Sequence, residues 1–256
     1  MHNMTVSTTN DPARLGQHSL RRSVILHLLP GALIVTCYVI AAPQVVNLGF
    51  PPGLALLIGF VVVGIPLELG YLLYQGKERN GTVSLRGIVV YREPMPIWQY
   101  LILFFLLLVL AFGVLFAISN FTEFLASRVF SWLPSFLLPD VEALYPKPAR
   151  AAVLLVLVAG LVVDGIINPV VEELYFRGHL LPRISHLGWL APFVSASLFT
   201  LAHFWQPYNY PIIFLIQLPL VYIVYWKRNI YIAILTHCAG NTIGALLSLV
   251  SFLQSA

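Results

Sequence analysis

The stretch Asn168-Pro169-Val170-Val171-Glu172-Glu173-Leu174-Tyr175-Phe176-Arg177-Gly178 sets two adjacent carboxylates and an arginine inside sequence that is otherwise apolar for most of its length. An ionisable group at membrane depth costs about 2.5–3.5 kcal/mol on insertion scales, so such groups are read as functional. On a helix, Glu173 and Arg177 are four residues apart and pair on one face. Glu172 points roughly 100° away, the rotation between successive helical residues. One glutamate is thereby engaged, and its neighbour is left for chemistry.

The composition around this stretch sets its environment. Of 256 residues, 59% are hydrophobic and 9% charged, where a soluble domain carries about 25% charged residues. Mean hydropathy is +0.87. Several stretches exceed the roughly 20 apolar residues that cross a bilayer as a helix. The expected fold class is therefore all-α, a polytopic transmembrane helix bundle with the lipid bilayer as its solvent. Alternating ten-residue segments of the barrel kind are absent. The net charge of +4 is spread over loops without a clustered basic face, so nucleic acid is not an expected partner. Cys37 and Cys238 fall inside predicted spans and read as small packing residues. No disulfide framework or zinc-type CxxC occurs. Arg21-Arg22 before the apolar run Val24 to Ala42 resembles the start of a signal peptide. The run is longer than an h-region and has no clear cleavage site, so it is read as a retained first span.

Residues 1–23 read as a cytoplasmic tail and 24–256 as a single transmembrane domain, with the motif-bearing core at about 150–250. Seven spans are predicted: 24–42, 54–74, 98–119, one running from 151 into the glutamate stretch, 190–206, 210–226 and 229–252. Between 120 and 150, Phe130, Trp132, Pro134, Phe136, Pro139 and Pro146 suggest an interfacial amphipathic helix and loop. A re-entrant piece there would make eight spans. With the N-terminus inside, 11 of the 14 basic residues fall on inner segments, against Arg128, Lys147 and Arg150 outside. The positive-inside rule then puts the N-terminus in the cytoplasm. The compact loops favour a prokaryotic cell (inner) membrane. No internal repeat supports a transporter built of paired halves.

Polar residues recur at one depth on three of these spans. At 1.5 Å per residue, Glu172 lies roughly 16 Å in from Arg183, and His203 about 16 Å in from Pro192. His237 and Asn241, which share a face, lie about 14 and 20 Å in from Lys227-Arg228. This agreement assumes that the glutamate helix continues to Arg183, although a straight helix from Ala151 would be roughly 50 Å long. Pro169 is the expected kink or break. Asp164, Asn168 and Glu172 form a stripe four residues apart that would line a cavity or pair with neighbours. His27 reads as a packing residue, and Glu68, Gln217, His179 and His186 as end-of-span or loop residues.

Glu172-Glu173 with Arg177, Phe199 with His203, and His237 with Asn241 together resemble the three motifs of the CPBP intramembrane proteases. That family includes the type II CAAX prenyl endopeptidases and the bacteriocin-processing and immunity (Abi) proteins. Asn168-Pro169 and Phe176-Arg177-Gly178 fit the same pattern, and the resemblance spans about residues 150–250. It implies hydrolysis of a peptide bond in a membrane-associated or lipidated peptide or protein.

Such chemistry needs an activated water and a charge stabiliser. Glu172 is the expected general base, with His203 orienting the same water. His237 and Asn241 are the expected oxyanion donors. Phe199 would fix the rotamer of His203, while Glu173 and Arg177 hold the helix and orient Glu172. No cofactor is expected on this reading. The alternative uses Glu172, His203 and His237 as ligands of a catalytic Zn2+ with an open water position, although the His-Glu-x-x-His signature of zincins is missing. Two further functions use the same polar layer: a non-catalytic immunity or scaffold protein, and a small-solute or proton transporter relaying through Asp164, Asn168 and Glu172.

Overall fold

The computed structural model describes residues 16–138 and 148–255, so Arg14, Pro139, Pro146 and Lys147 lie outside the described residues. Helices α1 (Leu20–Asn47), α2 (Gly53–Asn80), α3 (Ile97–Val129), α4 (Arg150–Leu187), α6 (Pro207–Lys227) and α7 (Tyr231–Gln254) are long and apolar enough to cross a membrane. Between α4 and α6 runs a shorter apolar helix, α5 (Leu190–Ala202). The chain is thus a polytopic helical bundle, with six helices of spanning length among the described residues and a shorter one in fifth place.

That α5 is short has a local cause. Its 13 residues cover about 20 Å, well under the roughly 30 Å hydrocarbon core. At its end the ladder tightens: the His203 amide bonds the Thr200 carbonyl at 3.1 Å. The Phe199 carbonyl, which a regular helix would have given to that amide, accepts instead from the His203 ring Nδ1 at 2.8 Å. The predicted span 190–206 therefore stops at Ala202, and His203 begins a non-helical segment. Irregular backbone at membrane depth is tolerated where it lines a cavity, and His203, Trp205 and Gln206 all do so.

The expected break at Pro169 does not occur. α4 stays helical throughout, with wide π turns at Val163–Ile167 and Glu173–Leu180 and a 3-10 turn at Leu181–Leu187. A π turn closes its hydrogen bond over five residues where an α turn uses four. The interfacial helix expected after residue 120 is absent from the described residues. α3 simply continues to Val129, and the chain folds back so that Ser135–Leu137 sits under the bundle. There Tyr38 Oη donates to the Phe136 carbonyl, and Leu137 is buried beside Ile34, Tyr38 and Phe60.

Among the described residues, most basic side chains gather at one end of the bundle. Arg22 reaches Tyr71 Oη at 3.3 Å, Arg79 the Gly87 carbonyl at 3.1 Å, and Lys227 the Gln99 side chain at 3.0 Å. This end is closed by a segment that reads from sequence as a mere loop. Ile88, Val89, Val90 and Tyr91 are almost fully buried. The Val90 amide donates to the Gly178 carbonyl and the Ile230 amide to the Tyr91 carbonyl, both at 2.8 Å. Arg183 Nη1 donates to the His179 and Ile88 carbonyls at 2.7 and 3.2 Å. The contact needs Gly178, because a Cβ there would lie 2.6 Å from Val89 Cγ1.

Gly178→Val is therefore expected to force α4 away from the 88–91 segment at a cost of about 1–3 kcal/mol, as overpacking does. The check is the thermal midpoint and folded yield of purified protein in detergent, with exposed Gly113→Val as the reference substitution of matched size.

Candidate active site

Adjacent glutamates on α4 face different partners. Glu173 Oε1 accepts from His237 Nδ1 at 2.8 Å and pairs with Arg177 Nη1 at 3.3 Å; both Glu173 and Arg177 are fully buried. Glu172 Oε1 accepts from Asn168 Nδ2 at 2.9 Å, and its Oε2 faces His237 Nε2 at 3.9 Å. The imidazole of His237 thus sits between the two acids, with its Nδ1 proton fixed on the second. Glu172 is more closely held than the expectation of a free carboxylate allows.

Arg177 ties in the next helices. It donates to Gln217 Oε1 on α6. Its guanidinium lies 3.9 Å above the centroid of the Phe199 ring on α5, an attraction that strengthens when water is excluded. Phe199 also packs on the His203 ring, centroids 4.7 Å apart. With Nδ1 donated to the Phe199 carbonyl, His203 presents Nε2 as an acceptor. Gly31 on α1 lets this corner approach closely, since a Cβ there would overlap the Ala202 carbonyl.

The carbonyls of the Val163–Ile167 π turn dock α7. The Asn168 amide bonds the Val163 carbonyl, and Pro169 has no N–H to give. The Asp164 and Gly165 carbonyls are left over. Asn241 Nδ2 donates to the first at 3.0 Å and Thr242 Oγ1 to the second at 3.2 Å. One Nδ2 proton of Asn241 remains for another acceptor.

These contacts surround one cavity of about 660 Å³. Asp164, Asn168, Glu172, Phe199, His203, His237 and Asn241 all line it, while Glu173 and Arg177 stand directly behind its wall. The rest of the lining is mostly apolar, with Tyr38, Leu57, Leu108, Phe112 and Ile213 contributing. Among the described residues no three His, Cys, Asp or Glu side chains converge closely enough to hold a metal ion.

Several residues read from sequence as bland have other places. Gln217 is buried on Arg177, and His179 is fully buried with Nδ1 donating to the Ile88 carbonyl at 3.1 Å. Glu68 on α2 is 3% exposed, and its Oε2 has no hydrogen-bond partner among the described residues. The depth count applied to the histidines would have found two of these. Glu68 lies nine residues from Lys77 and Gln217 ten from Lys227, about 14 and 15 Å in. His27 does pack, with its ring 5.6 Å from that of Phe176 and Nδ1 on the Ser23 carbonyl, and His186 stays exposed.

Glu173→Gln keeps the shape of the side chain but leaves the Arg177 charge buried without its acid. Breaking such a pair costs about 3–5 kcal/mol, so a large drop in folded yield and thermal midpoint is expected. Glu172→Gln, whose acid faces the cavity, is expected to fold as the parent does; equal midpoints for the two variants would remove the structural role from Glu173.

Residues 152–243 match the family model described as type II CAAX prenyl endopeptidase Rce1-like. No curated protein and no solved structure matches the chain significantly. The matched region runs from the start of α4 into α7 and holds every motif residue on the cavity's polar end, so this part of the chain is similar to the CAAX-type intramembrane endopeptidases.

Proposed function

We propose that the protein hydrolyses a peptide bond of a lipidated or membrane-associated chain with a water activated by Glu172, without a metal. The observation that carries this reading is the meeting of Glu172, His203, His237 and Asn241 on the wall of one cavity whose remainder is mostly apolar. An acyl-transfer site needs a base, a means of aiming the water, and donors where the oxyanion forms. Glu172 takes a proton from the water as its oxygen attacks the scissile carbonyl. His203 Nε2 accepts the water's second hydrogen bond and aims it. The free Nδ2 proton of Asn241 and, in its doubly protonated form, Nε2 of His237 donate to the oxyanion. Collapse of the tetrahedral intermediate breaks the C–N bond. Glu172 returns its proton to the departing amine, and the water's oxygen stays in the new carboxylate.

The apolar part of the cavity suits a prenyl or acyl chain lying beside the scissile bond. A CAAX-type substrate brings a lipidated cysteine followed by three residues. With the basic end of the bundle towards the cytoplasm, as the distribution of Lys and Arg favours, the C-terminus of such a substrate would reach the polar end from within the membrane.

In purified protein with a prenylated CAAX reporter peptide, Glu172→Gln is expected to lower kcat by about 10²–10⁴-fold, the range for loss of a general base. Retained cleavage would remove Glu172 from that role. Treatment with 1,10-phenanthroline is expected to leave the rate unchanged. Loss of activity restored by zinc would instead establish Glu172, His203 and His237 as metal ligands.

A further inference from the structure

Glu172 and His203 each border two spaces. One is the large cavity; the other is a pocket of about 10 Å³ beside it, lined by Gly31 and Ile34 of α1, Glu68 of α2, Phe176 of α4, and Phe199, Ala202 and Trp205. A volume of that order holds one water if two to four polar groups can bond it. Three polar side chains reach this pocket: Glu68, Glu172 and His203. The rest of its wall is glycine, alanine, isoleucine and aromatic rings.

Glu68 has no other evident use. Its carboxyl is buried, Oε2 is without a hydrogen-bond partner among the described residues, and the charged groups acting on it are Glu172, Arg177 and Glu173. A buried polar atom left unpaired costs about 1–3 kcal/mol. A leucine would fill the same space at no such cost, so packing alone does not account for a glutamate. A water in the pocket removes the difficulty, because it donates one proton to Glu68 Oε2 and the other to Glu172, and so leaves Nε2 of His203 to the attacking water.

We propose that Glu68 is a positioning residue for the reaction: through one water in this pocket its carboxyl sets the orientation of Glu172. This rests on the glutamate-activated hydrolysis proposed above. Gly31 shapes the same pocket, since the α1–α5 approach that it permits brings His203 to its edge. Glu68 does not line the large cavity and touches no reacting atom.

The test uses full-length protein, the prenylated reporter peptide, and Glu172→Gln as the reference variant. Glu68→Gln keeps an oxygen that accepts from the water and is expected to retain activity. Glu68→Leu removes it and is expected to lower kcat about 10–100-fold, typical for groups that orient others, with KM within about twofold. Glu68→Asp withdraws the carboxyl by one methylene and is expected to behave as Glu68→Leu, so the test stands even if the leucine variant does not fold. A high-resolution structure should show one water bridging residues 68 and 172 in the parent and none in Glu68→Leu. A wild-type kcat in a folded leucine or aspartate variant, a loss confined to KM, or a loss that only tracks folded yield would overturn the proposal. Retained activity in Glu172→Gln would instead overturn the underlying assignment of Glu172 as the base.

Discussion

The buried pair Glu173–Arg177 is the constraint around which the rest is arranged. A guanidinium taken out of water must find its charge partner and as many acceptors as possible nearby. Arg177 therefore draws in α6 through Gln217 and α5 through the face of Phe199. Glu173 shares its single engaged oxygen between Arg177 and the His237 ring of α7. Four helices are cross-linked by one acid and one base that line no part of the large cavity. In hydrocarbon, where helices gain little from burying apolar surface against each other, polar contacts of this kind decide which faces meet.

That arrangement also explains why the two glutamates are adjacent rather than spaced. A residue serving the fold and a residue serving chemistry must lie at the same depth but face different ways. Neighbouring positions on a helix provide that with the least backbone. His237 then fits between them: its Nδ1 is committed to the structural acid, and its Nε2 is presented towards the other. The orientation of the ring is thus set by the same ion pair that holds the bundle.

The sequence makes the helical class and the polar layer legible because both depend on rules local to a helix: apolar run length and rise per residue. Glu172, His203, His237 and Asn241 could be set at one depth by counting. What counting misses follows from partners on other segments. The count reaches the depth of Glu68 and Gln217 but not their partners, which are Arg177 for Gln217 and the pocket shared with Glu172 for Glu68. Ile88-Val89-Val90-Tyr91 looks like loop because its burial comes from Gly178 and Ile230, far away in the chain. The shortness of α5 is equally hidden, since it depends on the His203 ring taking the Phe199 carbonyl in place of a backbone amide.

Pro169 shows how a local defect becomes a long-range instruction. Read alone, a proline in the middle of a span predicts a kink. Here a π turn precedes it, and between them the π turn and the missing N–H free the carbonyls of Asp164 and Gly165. Unpaired carbonyls in a dry interior must be bonded from elsewhere, and α7 supplies Asn241 and Thr242 to bond them. Those two residues lie just over a helical turn beyond His237, so bonding the carbonyls also fixes the height of His237 against the glutamates. The proline of the first motif is in this sense part of the third: it creates the vacancy by which the histidine helix finds its register.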